Sequence, residues 1–360
     1  MREKDIVRNT IKFNKPKEIP VLMWIDLIRY EMKSRLLREK AYRVIKDRFD
    51  KHIIQLMPDG EEIPLCSMEW PKTNEGWRDL MRDWIFGSVW PCGGFVFKKG
   101  RLAWAPLENN FTVKAIEKIE FPNPTDPFYL SRAKKRIKDN RDKYLLGFVW
   151  YTLFEKMHFL SGFENVFVGP ILYKNEFFKL QSKIMDYNLK LIKHWGKLGI
   201  DGIFMSDDWG SQTSLLISPQ QWREIYKPCY KELFKEIHKG GMDAWLHTCG
   251  YSLPIIEDLI DIGLDVINPI QPQANNIEEL AEKFGGKICF CGGIDIQKTT
   301  VTGSPKDVER EIKNLFDKFG KKFGGGFIPA PCNTILEDTS PENIKAIYDA
   351  VDKINVKLPW

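Results

Sequence analysis

From about residue 144 onward, the chain alternates short apolar runs with amphipathic helical stretches. This alternation predicts parallel strands that are joined by helical crossovers. The predicted strands are 144–150, 202–206, 244–247, 265–268, 287–290 and 327–330. Because there is room for two earlier strands, the pattern predicts an α/β fold with eight strands, a (β/α)8 TIM-type barrel.

Helix start signals support this alternation. Ser218-Pro219-Gln220-Gln221 combines an N-cap serine, a proline at the first helical position and a glutamine at the third. Ser304-Pro305 and Ser340-Pro341 repeat the signal. They predict helices over 308–319 and 344–354.

The first 140 residues are less regular. We expect a first barrel strand at 20–24, a second strand near 63–66 and a hairpin at 94–106. Residues 35–51 interleave charged with apolar side chains, which predicts an amphipathic helix whose polar face is solvated.

A proline-rich stretch at 121–127 marks the junction into the regular part of the chain. We do not interpret it as a domain boundary. We expect one domain over 1–360, composed of an N-terminal part with an extension and a hairpin (1–140) and a regular β/α part (141–360).

Charge and hydropathy argue against two classes of partner. The chain has 54 Lys and Arg against 49 Asp and Glu, a net charge of +5, and the two signs are mixed along it. This mild balance argues against a nucleic-acid surface. No stretch is long and apolar enough to span a bilayer, so we expect no membrane partner and a cytoplasmic protein. The seven cysteines are widely spaced and odd in number, which favours reduced thiols.

His247, Cys249 and Cys332 have the side chains that zinc prefers, and they end two of the apolar runs. Residues i and i+2 of a strand point to the same side, so His247 and Cys249 are expected to face the same way. Three such ligands leave one position open, which is typical of catalytic zinc. The alternative is a chance His-x-Cys, since cysteine is often a buried small hydrophobe.

Other polar residues also follow the predicted strands. Barrel enzymes place their active sites at the carboxyl ends of the strands, so these residues are expected to line one mouth. They are Asp207, Asp208, Asn268, Gln271, Cys291 and Asp295.

Each candidate also has a plainer interpretation. Asp207 and Asp208 could cap a turn instead of binding substrate. Cys291 could be a fourth ligand, although a buried thiol is the more common role of such a residue. Glu155, which follows the strand at 144–150, could face either the mouth or the solvent.

Five segments match motifs of one known superfamily. They are 204–210 (Phe-Met-Ser-Asp-Asp-Trp-Gly), 217–219 (Ile-Ser-Pro), 247–250 (His-Thr-Cys-Gly), 291–295 (Cys-Gly-Gly-Ile-Asp) and 340–344 (Ser-Pro-Glu-Asn-Ile). Through them the half of the chain from 202 to 352 resembles the uroporphyrinogen decarboxylase superfamily. This resemblance implies a single α/β barrel.

Two branches of that superfamily are distinguished by their motifs. Porphyrinogen decarboxylases have an arginine-rich N-terminal segment and a Gly-His-Gly near the last strand. Here residues 21–29 lack the arginine pair, and Pro331-Cys332-Asn333 takes the place of the histidine motif. His247, Cys249 and Cys332 instead match the signature of zinc-dependent corrinoid methyltransferases, such as methylcobamide:coenzyme M methyltransferases.

This second resemblance implies Zn²⁺ at those three residues and a corrinoid (methylcobalamin) that is supplied in trans by a separate carrier protein. The nearest run here to a carrier motif, 50–55, ends in Gln and lies in a helical pattern. A methyl group would be exchanged between the corrinoid and a small thiol or a methyl donor, as in O-demethylation.

We expect Asp207, Asp208 and Glu155 to be the catalytic side chains that orient ligands or move a proton, and Asn268 and Gln271 to bind the cofactor. Two alternatives stay open. One is a decarboxylase of the uroporphyrinogen type, and the other is a non-catalytic barrel with a structural metal.

Overall fold

The computed structural model of the chain describes residues 2–25, 27–58, 97–98, 101–102, 105, 107–119, 121, 123–125 and 130–360. The elements of its N-terminal part are α1 (Glu3–Ile11), α2 (Leu27–Lys33), α3 (Arg35–Ile45), β1 (Ile53–Leu56), β2 (Phe97–Lys98), β3 (Arg101–Leu102), α4 (Val113–Glu117) and α5 (Ser131–Asp139).

The regular part begins with β4 (Tyr144–Val149), α6 (Phe154–Leu172), α7 (Lys174–Lys197), β5 (Gly202–Ser206), α8 (Pro219–Ile225) and α9 (Lys227–Lys239). It continues with β6 (Asp243–His247), α10 (Leu253–Asp261), β7 (Val266–Asn268), α11 (Ile277–Phe284), β8 (Cys289–Ile294) and α12 (Thr299–Thr302). The last elements are α13 (Pro305–Phe316), a π-helix (Asp317–Lys321), β9 (Phe327–Pro331) and α14 (Pro341–Val356).

Seven strands form one parallel sheet in the order β1-β4-β5-β6-β7-β8-β9. The sheet is curled, because one buried cluster joins Ile53 of the first edge strand to Ile328 and Ala330 of the last. Phe148, Phe204 and Trp245 from the central strands fill the same cluster. The protein is therefore an α/β fold built on a curled parallel sheet.

The predicted first strand at 20–24 does not form a regular strand, but it lies beside the sheet. The Leu22 N–H donates to the Pro329 carbonyl at 3.1 Å, and the Ile335 N–H donates to the Trp24 carbonyl at 2.9 Å. On the other side, the Gln55 amide donates to the Met23 carbonyl at 3.3 Å. The segment thus has partners near both edges of the sheet.

The six predicted strands of the regular part are all present, with ends that move by a few residues. The largest difference is in β8, predicted at 287–290 and found at Cys289–Ile294. The strand continues through Gly292 at φ 140°, where an added Cβ would lie 1.8 Å from the Pro269 carbonyl oxygen. Two consecutive glycines are typical of loops, but here they allow a close approach between neighbouring strands.

Of two N-terminal helix predictions, one was too long and the other was wrong. The helix predicted over 35–51 ends at Ile45, and the helical pattern at 50–55 overlaps β1. All four residues of β1 are buried, so the run has neither the alternation of a half-buried strand nor the length of a helix. The expected strand at 63–66 lies outside the described residues.

The C-terminal helices and the hairpin follow their predictions more closely. The helix predicted at 308–319 begins at its Ser304 cap and passes into the π-helix, and the helix predicted at 344–354 spans Pro341–Val356. Within 94–106, Phe97 pairs with Leu102 in an antiparallel ladder. Within the described part of the chain, no helix has the length and apolarity that a membrane crossing requires.

Candidate active site

Three neighbouring strands end in one row of polar side chains. In the parallel register Ser206 pairs with His247, and His247 pairs with Asn268. Residues that pair in register point to the same side of a sheet, so these three side chains meet at its carboxyl edge. The strand pairing alone therefore brings these three side chains together, without a contribution from the loops.

Asn268 fixes the orientation of the His247 ring. Its amide nitrogen donates to the Cys291 carbonyl at 2.9 Å, so its Oδ1 is the atom that faces His247 Nδ1 at 2.5 Å. Because Oδ1 can only accept, Nδ1 must hold the proton, and Nε2 presents a lone pair. This is the tautomer that a metal ligand of this kind needs.

The lone pair of His247 Nε2 points at two further donor groups. Cys249 Sγ lies 3.1 Å away and Asp208 Oδ1 lies 3.6 Å away. These three ligand atoms all lie within 4.8 Å of one another, a spacing that could hold a metal ion. The expectation that His247 and Cys249 face the same way is therefore confirmed, and Asp208 joins them.

The loop that presents Cys249 is held by a close backbone approach. Gly250 has φ +76°, and an added Cβ would lie 2.2 Å from the Gly210 carbonyl oxygen. The Cys249 N–H donates to Asp208 Oδ1 at 2.9 Å, and the Gly250 N–H donates to Gln271 Oε1 at 3.3 Å. Gln271 thus supports the loop behind Cys249, and it is not among the residues that line the pocket.

Cys332 lies in the wall of the same pocket, outside the group of three close ligand atoms. Its backbone N–H donates to the Ile294 carbonyl at 3.0 Å, and its Sγ lies 3.8 Å from the Pro269 carbonyl oxygen. Burial raises the pKa of the Cys332 thiol, which is only 4% exposed, and the nearby Cys249 adds to the shift. Cys291 is fully buried in the sheet interior.

The pocket above this row has a volume of about 220 Å³. Its floor and walls combine polar side chains with aromatic rings. The lining residues are Trp24, Trp150, Tyr151, Glu155, Phe159, Ser206, Asp208, His247, Asn268, Pro331, Cys332, Asn333 and Thr334. The sequence reasoning missed the aromatic members, although Trp150 and Tyr151 directly follow β4 and so occupy the same kind of position as the predicted residues.

Glu155 faces the pocket, which resolves the choice between mouth and solvent. It is 8% exposed, and Ser206 Oγ donates to its Oε2 at 2.8 Å. Burial raises the pKa of Glu155 well above its ordinary value, and the negative charges of Asp208 and Asp207 act in the same direction. A raised pKa favours the protonated form of a carboxyl group, which can donate a hydrogen bond.

Asp207 lies behind the pocket wall. Its carboxylate accepts from the backbone N–H groups of Leu153 and Glu155, each at 2.8 Å, and from the Tyr230 hydroxyl at 2.6 Å. Burial raises the pKa of Asp207 to about 7, although these hydrogen bonds oppose the shift. It therefore binds the start of α6 and does not line the pocket.

Asp295, another residue predicted at the mouth, closes a turn. Its Oδ1 accepts from the backbone N–H groups of Gln297 at 2.7 Å and Lys298 at 3.1 Å. Oδ1 of Asp295 is therefore engaged by local backbone donors, as in a capped turn. Asp295 is not among the residues that line the pocket.

Three comparisons place this geometry among known proteins. The family model of uroporphyrinogen decarboxylase (URO-D) matches residues 99–354. Among curated proteins there is no significant match. A methyltransferase from Methanosarcina mazei has a similar structure, with a TM-score of 0.65, 15% sequence identity and coverage of 98% of this chain and 99% of that one.

More distant solved structures include a GH27 β-L-arabinopyranosidase from Geobacillus stearothermophilus, with a TM-score of 0.41, 10% identity and coverage of 96% and 78%. A D-psicose 3-epimerase has a TM-score of 0.35, 8% identity and coverage of 63% and 81%. These two likenesses carry no argument. The family model spans well over half of the chain, and the chain therefore belongs to the uroporphyrinogen decarboxylase (URO-D) family.

Proposed function

We propose that the protein is a zinc-dependent methyltransferase that exchanges a methyl group between a corrinoid on a separate carrier protein and a small thiol. The observation that carries this proposal is the pairing of His247 Nε2 with Cys249 Sγ at 3.1 Å, at the carboxyl edge of a parallel sheet. The methyltransferase from Methanosarcina mazei, whose fold is similar over nearly the whole chain, also supports it.

The residues present suit zinc. We propose that His247, Cys249 and Cys332 hold the ion, because one imidazole and two thiolates are a common catalytic ligand set. Bound there, zinc supplies Lewis acidity that keeps a substrate sulfur deprotonated at neutral pH. Asn268 holds His247 in the tautomer that a metal ligand needs. We propose this supporting role for Asn268 in place of the predicted direct contact with a cofactor.

The chain's own residues then define the space in which the thiol reacts. Asp208 lies beside the ligands, and Glu155 lines the same pocket with its pKa raised by burial. Trp24, Trp150 and Phe159 exclude water from the pocket walls. The corrinoid would supply the methyl group and the substrate thiolate would accept it, so that an S–C bond would replace the Co–C bond and the electron pair of the Co–C bond would remain on the corrinoid.

We propose that the corrinoid arrives on a partner protein that docks over the pocket. The pocket opens at the carboxyl ends of the strands, where barrel enzymes receive their substrates. The run at 50–55 offers no histidine for a corrinoid, because the buried His52 already pairs with Glu3 at 2.5 Å. The described cysteines form no disulfide, which fits a reducing cytoplasm.

We also propose that the sheet closes into the eight-stranded barrel, with the segment 20–25 in the eighth position. The hydrogen bonds of Leu22 with Pro329 in β9 and of Trp24 with Ile335 beyond it support this closure. The contact of Met23 with Gln55 supports it from the other edge. Hydrogen exchange tests it. The amide of Leu22 should be protected as strongly as amides of β9, and rapid exchange of Leu22 would contradict closure.

Metal content and turnover test the main proposal. The purified protein should hold one zinc ion per chain, and His247→Ala, Cys249→Ser and Cys332→Ser should each lose it. Cys229→Ser, a half-buried thiol on α9, serves as the matched control and should keep it. Free methylcobalamin and 2-mercaptoethanol provide an absorbance assay of methyl transfer. Full turnover by the metal-free protein would overturn the proposal.

A further inference from the structure

We infer that the thiol substrate is an aminothiol, whose sulfur binds at the metal site and whose other end carries a positive charge that Glu155 and Asp208 recognise. This inference rests on the proposed function and names the substrate class of the same pocket. It is carried by the Glu155 oxygen that no described residue donates to, the acidic side chain of Asp208 and the aromatic rings that line the same pocket.

Glu155 has one oxygen atom that the described residues leave without a hydrogen bond. Ser206 Oγ donates to Oε2 at 2.8 Å, whereas Oε1 receives no donor among the described residues. The side chain is nine-tenths buried and lines the pocket. Oε1 is accessible from the pocket, so a ligand that supplies an N–H donor there gains a hydrogen bond.

Asp208 adds a second acidic group to the same pocket. Its side chain is 42% exposed, and the Cys249 backbone N–H is the donor to its Oδ1. A divalent ion that is bound by two thiolates and a neutral imidazole has no net charge left. With zinc held by His247, Cys249 and Cys332 as proposed, the half-exposed carboxylate of Asp208 would add a net negative charge to the pocket and make it attractive to a cation.

The aromatic walls favour the same charge. Trp24 and Trp150 lie 5.9 Å apart between ring centroids, and both line the pocket. The faces of tryptophan rings attract ammonium groups, and this attraction strengthens where water is excluded. Aromatic rings together with carboxyl groups are therefore a setting for an ammonium group.

An anionic substrate would find no counter-charge among the described lining residues. None of the residues that the structure places in the pocket wall is a lysine or an arginine. A sulfonate or carboxylate tail would instead meet Asp208 and Glu155. This argues against a thiol such as 2-mercaptoethanesulfonate as the preferred substrate.

A series of three thiols tests the inference on the zinc-loaded protein. 2-Aminoethanethiol, 2-mercaptoethanol and 2-mercaptoethanesulfonate share the HS–CH2–CH2 group and differ in the charge of the other end. Binding is measured by quenching of tryptophan fluorescence, and kcat/KM is measured with methylcobalamin. We expect the amine to bind about tenfold more tightly than the sulfonate, with the alcohol between them.

Variants identify the groups responsible. Glu155→Gln and Asp208→Asn should each reduce the preference of the protein for the amine over the sulfonate, and zinc content confirms that the site is intact. Glu282→Gln, an exposed substitution on α11, is the matched control and should leave the preference unchanged. An unchanged preference in both pocket variants, or equal or tighter binding of the sulfonate, would overturn the inference.

The same experiment separates this inference from the proposed function. If 2-mercaptoethanol is methylated only when zinc is bound, but the sulfonate is preferred to the amine, the substrate class is wrong and the proposed function stands. If none of the three thiols binds or reacts with the zinc-loaded protein, both are wrong.

Discussion

Asp207 accepts a 2.8 Å hydrogen bond from the backbone N–H of Glu155, so a carboxylate behind the pocket wall positions a carboxyl group inside it. The two groups are also linked electrostatically, since the charge of Asp207 contributes to the raised pKa of Glu155. The neighbouring Asp208 faces the opposite way, toward His247 and Cys249. The adjacent aspartates thus have different roles: Asp207 binds backbone N–H groups behind the pocket wall, and Asp208 lies in the pocket beside His247 and Cys249.

Asp207→Asn should destabilise the protein by about 2 to 3 kcal/mol, because a buried acceptor of three hydrogen bonds loses at least one of them. Denaturant unfolding measures this loss. We also expect a lower kcat for methyl transfer with zinc content unchanged, because Glu155 shifts while the ligands stay. Tyr230→Phe removes one of the three donors and also leaves the Trp209 ring N–H without its acceptor, so it should destabilise the protein by a similar amount. A Tyr230→Phe variant as stable as the unmodified protein would contradict this account.

Asn268→Ala should weaken zinc binding by about 10- to 100-fold, because His247 loses the acceptor that fixes its tautomer. Competition with a chromophoric chelator measures the affinity. Asn268→Asp keeps an oxygen opposite His247 Nδ1 and should retain most of the zinc affinity. Equal affinities for the alanine variant and the unmodified protein would show that the contact does not orient the ligand.

Gly250→Ala should both destabilise the protein and lower its zinc content. Its φ of +76° is costly for alanine, and its Cβ would lie 2.2 Å from the Gly210 carbonyl oxygen. Gly241→Ala is the matched control, since Gly241 has φ +72° but no neighbour within 4 Å of an added Cβ. The control should cost about 1 kcal/mol and keep its zinc. Similar losses in the two variants would exclude the backbone contact as the cause.

His238 should contribute a small pH dependence to stability. The hydrogen bond from its ring to Asp265, 2.7 Å long, raises the pKa of His238 above 6.5. A group whose pKa is raised on folding stabilises the protein fully below its unfolded pKa, and this contribution is lost as the pH rises through the folded pKa. Because the side chain is 42% exposed, the contribution should be below about 1 kcal/mol.

The measurement is the free energy of unfolding from pH 6 to pH 9 for the unmodified protein and for His238→Gln. The difference between the two should shrink as the pH rises. His158, whose pKa burial lowers to about 4, is common to both proteins and cancels in the difference. A difference that grows with pH would show that the pKa of His238 is not raised on folding.

The sequence predicts the regular part of the fold well, because each strand there is an apolar run between capped helices. It also predicts the pairing of His247 with Cys249, which follows from the two-residue period of a strand. It does not predict that Asp208 joins them, because that depends on the approach of Gly210 to Gly250 across two loops. No local pattern in the sequence encodes such a contact.

For a related reason, the sequence predicts only in part which of Asp207 and Glu155 lines the pocket. Asp207 and Asp208 follow one strand and face different directions. Only the position of α6 decides that Asp207 lies behind the pocket wall and Asp208 in the pocket. The strand β1 was missed because burial on both faces removes the alternation that identifies a strand. Tertiary packing overrides the local signal in both cases.

The row formed by Ser206, His247 and Asn268 exists only while three strands keep their mutual alignment. Slippage of one strand by a single residue would turn its side chain to the opposite face of the sheet. Zinc binding would then depend on correct strand register. In a misaligned sheet, either the imidazole of His247 or the amide of Asn268 would be missing from the site. Under the proposed function, protein that retains zinc must therefore have its three central strands in register.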